Sequence, residues 1–322
     1  MKAFDSAQAK PFDSPSGLAQ GKPFTGVFTP IPTPFTTGDA VDEAALRRNV
    51  DRWMGTPLTG LVVLGSNGEA AQLDDAEADR VVEIVRERVP SDRPLIAGTG
   101  RESTKATIAA TARAAAAGVD AVLVRTPSFF KAQMSAEIFV RHYTEVADAS
   151  PAPVLLYNVT MFTGVTLQVE AVERLSAHPN IVGMKESGSD ISYISELVTR
   201  TPDDFTVLAG SATTYFHALC AGCDGGILAL AALLPDACAR MLALVRDDRL
   251  GEARALQHWI MPLARSIGGT YGVAGLKAAL DLSGYTGGVP RPPLLPAPPH
   301  VIETIAGQLA ALDAFKELAS EI

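Results

Sequence analysis

Residues 153–186, PVLLYNVTMFTGVTLQVEAVERLSAHPNIVGMKE, contain the repeating unit from which the fold can be predicted. An apolar run at 153–159 is followed by LQVEAVERLSA, in which apolar residues recur at helical spacing, and then by a second apolar run at 180–186. Apolar runs without alternation of polar and apolar residues are typical of parallel strands that are covered on both faces. This stretch therefore predicts a strand, a helix and a second parallel strand.

The same alternation fills most of the chain. Six further apolar runs of strand length lie at 25–31, 59–65, 94–100, 120–127, 205–210 and 225–230. A stretch with helical periodicity separates each run from the next. Eight strands that alternate with helices predict an α/β protein with a (β/α)8 fold, a TIM barrel, and an open doubly wound sheet is the alternative.

The two ends of the chain differ from this alternating part. Residues 1–22 are rich in Ser, Ala, Pro, Gln and Gly, which is typical of a poorly ordered leader. After the eighth strand come further helical segments, at about 235–247, 250–267, 273–283 and 300–320. We therefore expect a leader at 1–22, the barrel at 23–232 and a C-terminal helical region at 233–322.

Composition and charge exclude several kinds of partner. The formal net charge of −9, from 27 basic and 36 acidic residues, argues against nucleic acid, whose phosphates need a basic surface. No window approaches the ~18 uninterrupted apolar residues of a membrane span, so we expect no membrane partner.

Cysteines and histidines give no sign of a metal site. The chain has three cysteines and no disulfide framework, which is typical of a cytoplasmic protein. We expect Cys220 and Cys223 to be packed in the core, because they lie in an apolar run. The five histidines have no metal-ligand spacing, so no metal is expected. The turn at 98–100 lacks the third glycine of a dinucleotide site, which argues against a nicotinamide cofactor.

Polar residues follow several strands at the point where each strand ends. They include GSNGE (65–69), YN (157–158) and KESG (185–188). Because active sites of these barrels lie at the carboxyl ends of the strands, we expect the three segments to meet at one end of the barrel.

Lys185 ends the sixth apolar run and is the leading candidate for a catalytic group. An ammonium is poorly tolerated among apolar groups, so it is usually paired or placed where its chemistry is used. A neutral amine can attack a carbonyl carbon and form a Schiff base, and Tyr157 at the preceding strand exit could transfer protons. The alternatives are a buried ion pair with Glu186 or Glu69, and a buried tyrosine whose hydroxyl is simply satisfied.

The segment GSNGE has the character of a turn that holds an anion. Gly65 and Gly68 allow close approach of the backbone, and Ser66 and Asn67 offer donors to a carboxylate. An ordinary tight turn is the alternative.

These segments, together with Thr163-Gly164 and GGILAL (225–230), resemble the dihydrodipicolinate synthase/N-acetylneuraminate lyase family of class I pyruvate aldolases. The resemblance runs from about residue 25 to residue 296. It implies that Lys185 forms a Schiff base with a 2-oxo acid and that Tyr157 and Ser66 assist in catalysis. The implied substrate-binding residues are Ser66, Asn67, Gly68, Ser187, Gly210, Ile227, Phe162 and Phe130. The resemblance also implies no cofactor besides the covalent imine, and a cytoplasmic homotetramer built as a dimer of dimers.

The chain departs from the synthases of this family at two places. Phe162 stands where a synthase arginine binds the carboxylate of the aldehyde partner. Phe129 and Phe130 stand where a tyrosine pair contributes to the proton relay across a subunit interface. Ser187, two residues after the lysine, and GSNGE are closest to the 4-hydroxy-2-oxoglutarate aldolase branch.

We therefore expect an enzyme that cleaves or forms the C–C bond between pyruvate or glyoxylate and a second carbonyl fragment, with a 4-hydroxy-2-oxoglutarate-like substrate. The alternatives are a 4-hydroxy-tetrahydrodipicolinate synthase and a 2-oxo-3-deoxy sugar acid dehydratase. A catalytically silent protein that binds 2-oxo acids is the alternative from another class, and the absent hydroxyls at Phe129 and Phe130 favour it.

Overall fold

The structure is a computed structural model that describes Lys22 and residues 24–320, and only the helical backbone of residues 313–320. Within this range eight parallel strands close into a barrel, each paired with the next in sequence and the last paired with the first. The strands are β1 (Gly26–Pro30), β2 (Gly60–Val63), β3 (Leu95–Gly98), β4 (Ala121–Arg125), β5 (Val154–Asn158), β6 (Ile181–Glu186), β7 (Thr206–Ala209) and β8 (Gly225–Ile227). The predicted (β/α)8 barrel is confirmed, and the open sheet is wrong.

Helices surround the barrel and continue after its last strand. In the described part of the chain they are α1 (Glu43–Met54), α2 (Asp75–Arg88), α3 (Thr104–Ala116), α4 (Ala136–Ala149), α5 (Thr160–Thr163), α6 (Val169–Leu175), α7 (Ile191–Arg200), α8 (Tyr215–Cys220), α9 (Pro235–Arg246), α10 (Leu250–Arg265), α11 (Gly272–Leu282) and α12 (Pro299–Ser320). The last four confirm the predicted C-terminal helices. Among these helices, none is long and apolar enough to cross a membrane.

The leader and the C-terminal helical region are the two predictions that concern the ends of the chain. The predicted leader, 1–22, lies outside the described residues except for Lys22. Helix α9 packs against β1, so the C-terminal helices lie on the barrel. The division of the chain at residues 23–232 and 233–322 stays a prediction.

The barrel has an inner and an outer apolar core, because successive strand residues point to opposite faces. The inner cluster is formed by Phe28, Val62, Ile96, Ala121, Leu123, Leu155, Tyr157, Val159, Leu208 and Ile227. Lys185 pairs in register with Tyr157 on one side and Leu208 on the other, so it points into the barrel. The outer core, between strands and helices, includes its neighbour Met184.

A buried ionic network joins the second strand exit to the C-terminal region. Glu69, whose backbone is left-handed at φ 55°, forms an ion pair of 2.5 Å with Lys277. Its other carboxylate oxygen accepts a 2.8 Å hydrogen bond from the backbone N–H of Arg291. The Arg291 guanidinium in turn pairs with Glu77 at 2.6 Å. This network holds the GSNGE turn against helix α11 and the segment that follows it.

A second buried contact ties the ends of β5 and β6 together. Asn158 Nδ2 donates a 2.7 Å hydrogen bond to Glu186, and the backbone N–H of Gly188 donates to the other carboxylate oxygen. Burial raises the pKa of Glu186 to about 7, although both hydrogen bonds act in the opposite direction. Glu186 points away from the barrel interior, and its contacts fix the strand end that carries Lys185.

The Lys277–Glu69 pair gives a first prediction. The variant Lys277→Met leaves the Glu69 carboxylate buried without its partner, which we expect to lower the free energy of unfolding by about 3–5 kcal/mol. The double variant Lys277→Met, Glu69→Gln removes the unpaired charge and should recover part of this loss. Chemical denaturation measures both. A single variant no less stable than the double variant would contradict the assignment.

The raised pKa of Glu186 gives a second prediction. The folded protein holds this proton more tightly than the unfolded chain, whose glutamate pKa is 4.5, so the contribution of Glu186 to stability falls as pH rises from about 4.5 to about 7. The expected fall is ~3 kcal/mol, at 1.36 kcal/mol for each pKa unit. Glu186→Gln removes this titration and keeps the acceptor for Asn158. A difference in unfolding free energy between wild type and variant that does not change with pH would contradict the prediction.

Candidate active site

A cavity of about 700 Å³ opens at the carboxyl ends of the strands. The predicted site residues in its wall are Ser66, Asn67, Tyr157, Phe162, Lys185, Ser187, Gly210 and Ile227. The barrel thus brings together groups that follow five different strands, as the position of active sites in this fold predicts.

Two predicted contacts are not in the cavity wall. The Gly68 carbonyl accepts a 2.7 Å hydrogen bond from Thr33, and a Cβ at Gly68 would lie 3.1 Å from the Ile31 carbonyl oxygen. Gly68 therefore stabilises the turn through contacts on the side away from the cavity. Phe130 is 64% exposed and packs edge-on against Phe129, with ring centroids 5.1 Å apart. Neither Gly68 nor Phe130 lines this cavity, so their role in substrate binding stays a prediction.

Lys185 is buried at the end of β6, with 4% of its surface exposed. Its Nζ donates a 3.4 Å hydrogen bond to the Tyr157 hydroxyl and lies 4.4 Å from the centroid of that ring. Among the described side chains no carboxylate pairs with Lys185, because Glu69 pairs with Lys277 and Glu186 is bound by Asn158. The alternative of a buried ion pair at Lys185 is therefore wrong. An amine that faces a phenol and no carboxylate suits nucleophilic attack on a carbonyl.

Tyr157 connects the lysine to the turn after β2. Its hydroxyl lies 3.4 Å from Ser66 Oγ, so Ser66, Tyr157 and Lys185 form a line of three groups that can exchange protons. Both distances are at the long end of hydrogen bonding. Contacts of this kind tighten when a substrate fills the site. The arrangement can carry a proton to or from a group bound covalently to Lys185.

Ser187 and Gly210 form the adjoining part of the wall. The backbone N–H of Gly210 donates a 2.6 Å hydrogen bond to the Glu186 carbonyl. This brings the two strand exits so close that a Cβ at Gly210 would lie 2.0 Å from Ser187 Oγ. In the part of the chain that the structure describes, this buried Ser187 oxygen has no hydrogen-bond partner. Ser187 therefore keeps an unused hydrogen-bonding group beside the cavity.

Part of the wall comes from residues that sequence analysis did not identify. Helix α10 ends at Arg265, and a π-helical turn, Ser266–Thr270, follows it. The cavity is lined there by Ala264, Arg265, Ile267, Gly268, Gly269 and Thr270. The two adjacent glycines within an apolar helical segment were the signal that could have pointed to this wall.

The cysteines are placed differently from the prediction in one case. Cys223 and Cys238 are buried, whereas Cys220 is exposed at the end of α8, so its expected packing is wrong. Among the residues that the structure describes, no group of three or more His, Cys, Asp or Glu side chains could hold a metal ion.

Known proteins resemble the chain in sequence and structure. A sequence model of the Dihydrodipicolinate synthetase family matches residues 23–311. The 4-hydroxy-tetrahydrodipicolinate synthase of Methanothrix thermoacetophila is 36% identical over 274 residues, which are 85% of this chain and 92% of that protein.

Solved structures agree with this assignment. A monomeric dihydrodipicolinate synthase variant superimposes with a TM-score of 0.86 at 30% identity, and the match covers 92% of this chain and 99% of the variant. YagE, a prophage protein of E. coli K12 solved in complex with pyruvate, gives a TM-score of 0.84 at 26% identity, over 90% of this chain and 99% of YagE. The chain therefore belongs to the dihydrodipicolinate synthetase family, and it is an enzyme of the class I aldolase type, which forms a C–C bond through a lysine Schiff base.

Proposed function

We propose that Lys185 forms the Schiff base and that its substrate is pyruvate or a closely related 2-oxo acid. The observation that carries this proposal is the buried Lys185 amine, 3.4 Å from the Tyr157 hydroxyl and without a carboxylate partner among the described side chains. The pyruvate complex of the related YagE supports the choice of substrate.

The geometry suggests how the imine forms. Ser66 and Asn67 bind the carboxylate of the 2-oxo acid, which places its C2 carbon near Lys185 Nζ. The amine attacks C2, and Tyr157 donates a proton to the oxygen that leaves as water. No cofactor takes part, because the protonated imine itself withdraws electrons from C3. The deprotonated Tyr157 then accepts a C3 proton, which gives the enamine and restores the phenol.

The enamine carbon attacks the carbonyl carbon of a second molecule and forms the new C–C bond. The new alkoxide receives a proton, for which Tyr157 is the nearest donor, and water then releases the product from Lys185. Cleavage of a 4-hydroxy-2-oxo acid is the same sequence in reverse, with Tyr157 accepting the 4-hydroxyl proton.

The comparisons favour synthesis over cleavage. The relatives carry the name of the synthase, whereas the expected preference for 4-hydroxy-2-oxoglutarate has no support from them. We therefore place the synthase-type condensation of pyruvate with an aldehyde first. Phe162 lines the cavity and cannot supply the charge of the synthase arginine, so the aldehyde need not be the one that the relatives use.

The homotetramer and the cytoplasmic location stay proposals. Phe129 and Phe130 are 77% and 64% exposed, at the strand exit where the family resemblance places side chains that cross a subunit interface. Such exposure of two large apolar groups supports an interface between copies of the chain. The related monomeric synthase variant means that family membership alone does not fix the assembly.

Trapping with borohydride tests the proposed role of Lys185. Incubation with pyruvate and borohydride should add the mass of one reduced pyruvyl group to the wild-type protein and none to Lys185→Ala. The comparison variant is Tyr157→Phe, which keeps the amine and should still form the adduct, but more slowly, because Tyr157 also donates the proton for loss of water. Its rate of condensation should fall by about 10²–10⁴-fold, the usual contribution of a proton-transfer group.

Intact-mass spectrometry and pyruvate consumption with a panel of aldehydes are the two measurements. Absence of an adduct on wild type, or an adduct that survives Lys185→Ala, would refute the imine at Lys185. An adduct without consumption of pyruvate by any aldehyde, and without pyruvate release from any hydroxy-oxo acid, would instead identify a 2-oxo acid binding protein.

A further inference from the structure

The active-site cavity has an unusual charge for this protein. Its wall, as far as the described residues form it, contains the basic residues Lys185 and Arg265 and no Asp, Glu or His. The whole chain carries a net charge of −9. A basic cavity in an acidic protein concentrates anions locally. The carboxylate of a 2-oxo acid is already assigned to the turn at Ser66. Arg265, the second basic residue of the wall, therefore has no ligand group assigned to it.

Arg265 is not used in the packing of the helices. It is exposed at the end of α10, and no carboxylate among the described side chains pairs with it. By contrast Arg249, just before the start of the same helix, pairs with Glu252 at 2.6 Å. A guanidinium has five donors in a planar fork and matches a carboxylate with two parallel hydrogen bonds. Arg265 therefore has its full bonding capacity available to a ligand.

The wall next to Arg265 is open. A Cβ added to Gly268 or Gly269 would meet nothing within 4 Å, so larger side chains there would project into free space. Both glycines lie in the π-helical turn Ser266–Thr270, and such turns are frequent at functional sites. This turn and Arg265 thus form a part of the cavity wall that has room for a ligand.

Another part of the wall is apolar. Met161 and Phe162 line it and are 62% and 58% exposed. The family resemblance places at this position the arginine that binds the carboxylate of the aldehyde partner. Apolar side chains there and an unpaired guanidinium elsewhere in the same wall are complementary changes, because the substrate could keep its second anionic group and bind it at Arg265.

We propose that Arg265 is a specificity-determining residue that binds a second carboxylate, at the end of the substrate distant from the imine. The substrate class is then a 2-oxo acid skeleton with a carboxylate at each end, formed from pyruvate and an aldehyde that bears a carboxylate. Among the described residues one guanidinium lines this wall, which suits a singly charged carboxylate better than a doubly charged phosphate. This inference rests on the proposed imine at Lys185.

Trapping of matched 2-oxo acids tests the proposal without knowledge of the natural aldehyde. The dicarboxylates 2-oxoglutarate and 2-oxoadipate are compared with 2-oxopentanoate and 2-oxohexanoate, which have the same chain lengths and no distal charge. Each is titrated against the full-length protein with borohydride, and the concentration for half-maximal adduct is read by intact mass. The variants are Arg265→Met, Arg265→Lys and the control Arg254→Met, which removes an exposed charge from the same helix.

For at least one chain length, Arg265→Met should raise the half-saturating concentration of the dicarboxylate by about 10- to 100-fold, the usual effect of losing hydrogen bonds to a charged group. The monocarboxylates and the pyruvate adduct should be unchanged in this variant. Arg265→Lys should recover part of the loss, because it restores the charge but not the fork. Arg254→Met should behave as wild type.

Three results would overturn the role of Arg265. They are an equal effect of Arg265→Met on dicarboxylates and monocarboxylates, no effect on either, and the same effect from Arg254→Met. In each of them the pyruvate adduct still forms, so the imine at Lys185 survives. If wild type forms no pyruvate adduct, the proposed function fails, and the role of Arg265 in it fails as well.

Discussion

The constraint on which this site depends is a buried lysine amine that pairs with no carboxylate among the described side chains. Removal of an ammonium from water is costly unless an acid compensates it, and the two nearby candidates, Glu69 and Glu186, are bound elsewhere. The strand register places Lys185 inside the barrel and Glu186 outside it, so adjacent residues have opposite roles. The fold thus presents the proposed nucleophile to the cavity and keeps the neighbouring acid away from it.

Two buried polar contacts outside the cavity stabilise this arrangement. The Glu69–Lys277 pair and the Asn158–Glu186 hydrogen bond lie behind the turn and the strand ends that line the cavity. Buried polar contacts of this kind tolerate little movement, because loss of one partner leaves the other unsatisfied. The proposed proton path from Ser66 through Tyr157 to the lysine requires such rigid support, since its distances must be kept within fractions of an ångström.

The parts that could be predicted from the sequence are those that depend on local patterns. The apolar runs of strand length predicted the barrel. The polar residues at the strand ends predicted that Ser66, Tyr157 and Lys185 lie close together. Arg265 was missed because its place in the wall depends on how α10 packs over the barrel mouth, which helical periodicity does not specify. Gly68 does not line the cavity, because a neighbour of a site residue along the chain can point away from the site.

Hydrogen exchange at the methyl group of pyruvate tests the central claim most directly, because only the imine and enamine are needed for it. In D₂O, without an aldehyde, NMR should show that the protein replaces the C3 hydrogens with deuterium well above the rate in buffer. Lys185→Ala should abolish this exchange. Exchange no faster than in buffer, or equal exchange by Lys185→Ala, would contradict an imine at Lys185.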